Sequence, residues 1–288
     1  MERRHRVLRL RQQRQPRPLR DPLCGLQLPE QALLRRNRNP ACGPTVTPTI
    51  LRAPRTSCIT ITATEHLPTF SAKAGIANPQ GKGLGVSFAD SDGDGFTDIF
   101  VANASVPSFL YHNSGNGTFT EVGLTAGVTY KEDGKAFAGM GIDFSDFDSD
   151  GRPDIIVTDF SNERYHLFHN NGDGSFRDVT NSSGLGGATF AVSGWSTHLF
   201  DYDNDGWKDL FVAQGHVTDT IERTSPNMKY LEPPLLLKNG SGRFVRVVAG
   251  DIFQKEWAGR GAAFGDIDNH GDLDIVVSNV GQSLHPAK

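Results

Sequence analysis

A nine-residue aspartate loop that recurs four times constrains the fold of this chain more than any other feature. Its copies occupy residues 90–98, 146–154, 201–209 and 266–274. Every copy has Asp at loop positions 1, 3 and 9 and Gly at position 6, and the first three copies also have Asp at position 5. Alternate side chains of a tight loop converge on one point, and Gly permits the turn. The pattern therefore indicates a binding site for a hard cation that prefers oxygen ligands.

An EF-hand begins with the same pattern but does not fit the residues on the C-terminal side of each loop. It requires a bidentate Glu at position 12 and a helix on either side. Position 12 is Val101, Val157, Val212 or Val277, and each valine ends a short apolar run. Runs of this kind are typical of buried strands. We therefore expect each loop to lead into a strand, with the position-9 Asp closing the cation shell.

The segments around each loop predict a repeating unit of four strands. An apolar strand enters each loop, at residues 84–88, 140–144, 195–200 and 262–264. A buried strand leaves each loop and is followed, in three copies, by a hairpin at residues 110–119, 167–176 and 235–244. The hairpins share an Asn-x-Gly-x-Gly core, which supplies the positive φ angles of tight turns, and in the third copy Lys238 replaces the first Asn of that core. His112 and His169 share one hairpin position, which favours an architectural role over an active centre.

The spacing of these units favours the blades of a β-propeller. Successive loops begin 56, 55 and 65 residues apart, and the longest interval contains an insertion at residues 216–234. A solenoid is the competing architecture, but its rungs are usually shorter. A strand buried on both faces also suits a blade between two neighbours. We therefore predict an all-β fold at residues 58–288, with three complete blades and the first half of a fourth.

Residues 1–57 differ in composition from the rest of the chain. They hold 13 Arg and three acidic residues, a net charge of about +10, whereas the remainder carries about −14. An Arg-rich and Pro-rich segment without periodicity is expected to be a disordered basic tail. A nucleic-acid-binding arm is the alternative, but no aromatic residues interleave with the arginines to stack bases, and we expect no nucleic-acid partner. We also expect no membrane span, and residues 1–57 lack the apolar centre of a secretory signal.

The repeats resemble a known family. The spacing from Phe70 to Gly75, the DxDxDGxxD loops and the NxGxGxF hairpins are similar to FG-GAP or VCBS repeats, the cation-binding blades of integrin α-subunit propellers. More closely, they resemble bacterial proteins similar to cartilage acidic protein. The resemblance covers about residues 58–284 and implies a secreted propeller of about seven blades followed by an ASPIC/UnbV domain. Against that family, we expect this chain to be a truncated product, a fragment of that ring without the C-terminal domain; the alternative is that its blades close into an unusually small ring.

The four loops predict calcium sites. Clustered carboxylates repel one another or take up protons unless a cation is present. Calcium is preferred over magnesium because the loops offer many flexible oxygens, including the position-7 carbonyls. We expect about three sites and a weaker or empty fourth, since His270 at position 5 is a poor ligand for a hard cation. The expected ligands are Asp90, Asp92, Asp94, Phe96 and Asp98; Asp146, Asp148, Asp150, Arg152 and Asp154; Asp201, Asp203, Asp205, Trp207 and Asp209; and Asp266, Asp268, Asp272 and Asp274.

These features together predict a calcium-binding, non-catalytic module for binding or adhesion, with a protein or glycan as its ligand. The resemblance implies an extracellular or periplasmic location, and the sequence does not predict an oligomeric state. The repeats contain no Gly-x-Ser-x-Gly elbow, no His-Glu-x-x-His motif and no cysteine nucleophile, so we expect no enzyme here. The alternative is an enzyme or biosynthetic accessory protein whose active residues lie in a missing C-terminal portion.

The insertion at residues 216–234 is the expected ligand contact. Long loops on a rigid scaffold often carry recognition, and this one contains Glu222, Arg223, Met228 and Tyr230. A variable surface loop is the alternative interpretation.

Overall fold

The computed structural model describes residues 4–9, 70–269, 271 and 273–281. These residues form 15 strands, three α-helices of about one turn and two short 3₁₀ segments. The helices are α1 (Ser71–Ala74), α2 (Gly123–Ala126) and α3 (Leu185–Thr189), and the 3₁₀ segments are Ile221–Arg223 and Asp251–Gln254. The predicted all-β fold class is confirmed.

Three four-stranded antiparallel sheets follow one another along the chain, each with its strands in chain order. Sheet 1 contains β2 (Gly83–Ala89), β3 (Asp98–Asn103), β4 (Phe109–Asn113) and β5 (Phe119–Glu121). Sheet 2 contains β6 (Ile142–Ser145), β7 (Asp154–Val157), β8 (His166–Asn170) and β9 (Phe176–Asp178). Sheet 3 contains β10 (Gly194–Phe200), β11 (Asp209–Gln214), β12 (Leu235–Asn239) and β13 (Phe244–Val247). The predicted unit of entering strand, loop, leaving strand and hairpin is confirmed in each sheet.

A fourth sheet has three strands and includes a segment from the start of the chain. It contains β14 (Gly259–Gly265), β15 (Asp274–Asn279) and β1 (Arg4–Arg9), with β15 in the middle. The backbone of β1 pairs antiparallel with β15 where the sequence predicted no regular structure. An edge strand presents unpaired N–H and C=O groups that accept any extended segment. The rest of the expected tail lies outside the described residues, and the native number of blades stays a prediction.

The second strand of sheets 1, 2 and 3 packs on both of its faces, as its apolar run predicted. In β7, Ile155 and Val157 pack with Phe100 of sheet 1, whereas Ile156 packs with Leu210 of sheet 3. All five side chains are inaccessible to solvent. Because alternate residues of a strand point to opposite faces, one strand contributes to two cores. The sheets therefore stack face to face like the blades of a propeller.

The first strands of neighbouring sheets approach each other closely. Contacts join β2 to β6, β6 to β10, and β10 to β14. A Cβ atom placed on Gly141 would lie 1.6 Å from the carbonyl oxygen of Trp195, and one on Gly85 would lie 2.2 Å from that of Met140. Glycine is therefore required where these backbones meet.

Within the described part of the chain, no helix has the length and apolar character needed to cross a membrane.

Candidate metal sites

The position-1 aspartate of each loop organises the loop backbone around its own carboxylate. Asp90 Oδ2 accepts a hydrogen bond from Gly95 N at 2.9 Å, and Asp146 Oδ2 accepts one from Gly151 N at 2.8 Å. The third and fourth loops repeat this contact. Gly95 and Gly151 have φ angles of 89° and 88°, in the region that favours glycine. The position-6 glycine therefore allows the turn that brings its N–H to the carboxylate.

The position-9 aspartate joins each loop to the sheet. Asp154 Oδ2 accepts a hydrogen bond from Phe147 N at 3.1 Å, and its Oδ1 accepts one from Asn170 N of β8 at 2.8 Å. Asp98 and Asp209 make the corresponding pair of contacts, and all three side chains are fully buried. Burial raises the pKa of Asp154 to about 7 and that of Asp209 to about 6, although these hydrogen bonds oppose the increase. This carboxylate would therefore be more stable as an anion beside a cation.

Carboxylate oxygens from positions 1, 3 and 9 converge in the first three loops. Within each set, one ligand atom per residue lies within 4.8 Å of the others: Asp90, Asp92 and Asp98; Asp146, Asp148 and Asp154; Asp201, Asp203 and Asp209. Asp148 Oδ1 and Asp203 Oδ1 are buried without a hydrogen-bond partner. Burial also raises the pKa of Asp92 and Asp148. These sites offer converging oxygen ligands, some of which have no other partner, and carboxylates that are costly to ionise. All three properties fit a bound hard cation such as calcium.

The fourth loop has the same backbone contacts at its two ends. Asp266 Oδ2 accepts a hydrogen bond from Gly271 N at 2.8 Å, and Asp274 Oδ2 accepts one from Ile267 N at 3.1 Å. His270 and Asp272 lie outside the described residues, so a weaker fourth site stays a prediction. The roles of Asp94, Asp150, Asp205 and Asp268, and of the carbonyls of Phe96, Arg152 and Trp207, as ligands also stay predictions.

Two histidines that the sequence assigned to the architecture lie against these clusters. His112 Nδ1 is 3.1 Å from Asp92 Oδ2, and His169 Nδ1 is 3.1 Å from Asp148 Oδ2. Both rings also approach the position-9 carboxylate, Asp98 or Asp154, at 3.4 Å. The repetition of the histidine in two hairpins indicated from the sequence that the two residues occupy equivalent positions. Only the fold shows that this position faces the aspartate loop.

The structure corrects the alignment of Lys238. The third strands read FLYHN, HLFHN and LLLKN, and their pairing with the second strands places Lys238 level with His112 and His169. The first Asn of the hairpin core is Asn239, one residue later. The error arose because the third hairpin is one residue shorter, with Ser241 and Gly242 forming its turn at φ angles of 56° and 81°.

Neighbouring loops are joined by hydrogen bonds between sheets. Asn170 Nδ2 of sheet 2 donates to the carbonyl oxygen of Ser91 in the first loop at 2.8 Å. Asn239 Nδ2 of sheet 3 donates to the carbonyl oxygen of Phe147 in the second loop at 2.6 Å. Each of these asparagines also donates through its backbone to the position-9 aspartate of its own sheet. Each of these hydrogen bonds therefore helps to hold one loop in place against the neighbouring sheet.

Replacing Asp154 by alanine is expected to destabilise the protein by about 2 kcal/mol even in a metal chelator. The substitution leaves the N–H groups of Phe147 and Asn170 without their acceptor in a buried site. Asp148→Ala is the matched control, because it removes a carboxylate with an unpaired oxygen from the same loop. Urea unfolding with chelator measures both, and equal stability of the two variants would show that Asp154 has no structural role of its own.

Comparison with known proteins gives similarities in the same region. The FG-GAP-like repeat family matches residues 90–157 and 146–212, each range beginning at position 1 of a loop. Cartilage acidic protein 1 of Homo sapiens is 28% identical over 218 residues, which cover 74% of this chain and 30% of that protein. The protein of the same name from Xenopus tropicalis is 27% identical over 233 residues, covering 76% and 32%. The chain thus spans about a third of the length of these relatives.

Among solved structures, one of an Agrocybe aegerita lectin that recognises non-reducing terminal N-acetylglucosamine is 22% identical to this chain. The match covers 58% of this chain and 38% of the lectin, with a TM-score of 0.34.

Proposed function

From the premise that this chain is a protein of FG-GAP-like repeats, we propose that its repeat region is a calcium-binding, non-catalytic module that binds a protein or glycan ligand outside the cytoplasm. The cation would be structural. It would be held by Asp90, Asp92 and Asp98 in the first loop and by the corresponding residues in the second and third. The fourth loop would bind more weakly.

The observation that carries this proposal is the convergence of the position-1, position-3 and position-9 carboxylates at the same place in three sheets. Such a set of carboxylates is costly to ionise without a cation, because burial, with a smaller contribution from the neighbouring aspartates, raises the pKa of Asp154 and Asp209. A calcium ion bound there would neutralise the loop and tie the entering strand to the leaving strand. Repetition across sheets favours this structural role over a single catalytic centre.

An extracytoplasmic location is proposed from the calcium requirement. Extracellular calcium modules bind with a Kd of about 10⁻⁴ to 10⁻³ M, concentrations that calcium reaches outside cells. At calcium about tenfold above Kd, each site would add about 1.4 kcal/mol of stability. Three such sites are substantial against the total stability of a typical domain.

The insertion at residues 216–234 is the proposed ligand contact. Its backbone is fixed at the base, where His216 N donates to the carbonyl oxygen of Tyr230 at 3.0 Å and Tyr230 N donates to Glu222 Oε1 at 2.8 Å. Glu222 and Arg223 are both exposed. A loop that is ordered at its base and charged at its surface is suited to recognition of a polar partner.

Calcium titration of the full chain is expected to raise the melting temperature, and Asp92→Ala is expected to lose one site. Calorimetry counts the sites, and thermal unfolding with and without calcium measures the gain in stability. Asp133→Ala is the control, since this exposed carboxylate pairs with Lys135 away from the loops. A chain that binds no calcium at any loop would contradict the proposed function.

A further inference from the structure

We propose that the ammonium group of Lys238 competes with calcium in the third loop, so that this loop binds calcium more weakly than the first two. The inference rests on the calcium-binding function proposed above. It attributes to one residue a difference in calcium affinity between loops that have the same pattern of aspartates.

Lys238 occupies the strand position from which the first two sheets present a histidine. In β4 and β8, the fourth residue is His112 or His169, and in β12 it is Lys238. In all three strands the next residue is an asparagine whose N–H donates to the position-9 aspartate at 2.8 Å. The three side chains therefore leave equivalent backbone positions and reach equivalent places in their loops.

The lysine is held by two of the expected calcium ligands. Its Nζ forms an ion pair with Asp203 Oδ2 and lies 3.0 Å from Asp205 Oδ2. These carboxylates occupy loop positions 3 and 5. A full positive charge thus lies between two acidic groups that a calcium ion would need.

The first two loops have no equivalent group at this position. A histidine can face a bound cation as a neutral ring, whereas a lysine ammonium repels it. The second loop does contain Arg152, which pairs with Asp150 Oδ2. However, its Nε donates to the carbonyl oxygen of Asn170 at 2.9 Å, which directs the guanidinium towards the hairpin. No contact joins Arg152 to Asp146, Asp148 or Asp154 among the described ion pairs and hydrogen bonds.

This arrangement predicts different behaviour with and without calcium. In the absence of calcium, Lys238 neutralises part of the charge of Asp203 and Asp205 in the third loop. In the first two loops a histidine, and not an ammonium group, lies against the position-3 aspartate. Calcium must displace the lysine from Asp203 and Asp205 before it can use both carboxylates. Replacing Lys238 by an uncharged residue removes both the partly exposed ion pairs that calcium must break and the repulsion between the ammonium group and the cation. The calcium affinity of the third loop is therefore expected to rise roughly tenfold.

The third loop contains its own reporter, because Trp207 occupies position 7. Excitation of an indole sensitises the luminescence of Tb³⁺ bound nearby, and Tb³⁺ commonly substitutes for calcium. The experiment titrates the full chain with Tb³⁺, follows the tryptophan-sensitised emission, and displaces Tb³⁺ with Ca²⁺. Trp207→Phe identifies the part of the signal that comes from the third loop. Calorimetric calcium titration of the same samples counts the tight sites.

In wild type we expect two tight calcium sites and a Trp207-dependent signal that appears only at higher Tb³⁺ concentration. Lys238→Met and Lys238→His should move the midpoint of that signal to a roughly tenfold lower concentration. The reciprocal variant His169→Lys should remove one tight site and leave the Trp207-dependent signal in place.

An unchanged midpoint in both Lys238 variants would overturn the inference, as would a wild-type third loop that binds as tightly as the first two. In either case tight binding at the first two loops would still support the proposed calcium function. Absence of binding at every loop would instead refute the proposed function, and the inference with it. The two failures are therefore distinguishable.

Discussion

Raising the pH from 5 to 9 is expected to weaken the wild-type fold through Glu232 by about 3 kcal/mol. Burial raises the pKa of this carboxyl from 4.5 to about 8, against the opposing effects of the hydrogen bond from Ser193 N and the charge of Arg260. Between these two pKa values the folded protein retains a proton that the unfolded chain has released. The contribution of Glu232 to stability is therefore fully present below its unfolded pKa and falls, as pH rises through this window, by about 1.4 kcal/mol per pH unit.

The Glu232→Gln variant should lack this part of the pH dependence. Urea unfolding of both proteins at pH 5, 7 and 9 measures it, and the variant should gain stability relative to wild type as the pH rises. Glu222→Gln is the control from the same insertion, since hydrogen bonding from Tyr230 N lowers the pKa of this exposed carboxyl. Parallel pH profiles for wild type and Glu232→Gln would show that Glu232 ionises normally in the folded protein.

Glu232 illustrates which contacts the sequence could not predict. Its partner Ser193 is 39 residues away, and its backbone pairs with that of Trp257, which lies beyond the end of sheet 3 in the chain. From the sequence, the insertion that contains it was interpreted as a ligand contact or, alternatively, as a variable surface loop. The C-terminal end of the insertion, which contains Glu232, is instead buried. Nothing in the local pattern around Glu232 distinguishes a buried carboxylate from an exposed one.

The features that the sequence did predict are those determined by a pattern within a few adjacent residues. The continuous apolar run of Ile155, Ile156 and Val157 predicts a strand buried on both faces, and the two faces indeed pack against different sheets. The loop positions of Asp and Gly predict the turn, because each residue acts on atoms within the same loop. These patterns are local, and local backbone geometry is sufficient to determine their consequences.

The sequence failed where the repeats differ in length or meet one another. A deletion of one residue in the third hairpin moved Lys238 by one position in the alignment and hid its relation to His112 and His169. The hydrogen bond from Asn170 to the first loop joins residues 79 positions apart. Both facts depend on how one sheet sits against the next, and a pattern within one repeat does not contain that information.

Replacing Gly141 by alanine is expected to destabilise the protein by about 3 kcal/mol. The new Cβ would lie 1.6 Å from the carbonyl oxygen of Trp195 in the neighbouring sheet, so one backbone must move. Movement is costly here because the Thr158 hydroxyl accepts from Gly141 N at 2.8 Å and donates to that same carbonyl at 3.0 Å. Separation of the two strands would break this connection between sheets 2 and 3.

Gly187→Ala is the matched control for Gly141→Ala. Gly187 lies in α3, where a Cβ atom meets no atom within 4 Å, and alanine favours a helix over glycine. Thermal and urea unfolding should therefore show a large loss for Gly141→Ala and little change or a small gain for Gly187→Ala. Equal stability of wild type and Gly141→Ala would mean that the first strands can separate without cost. In that case the close approach of β6 and β10 would not be what fixes the arrangement of the sheets, and the hydrogen bonds between neighbouring loops would have to fix it instead.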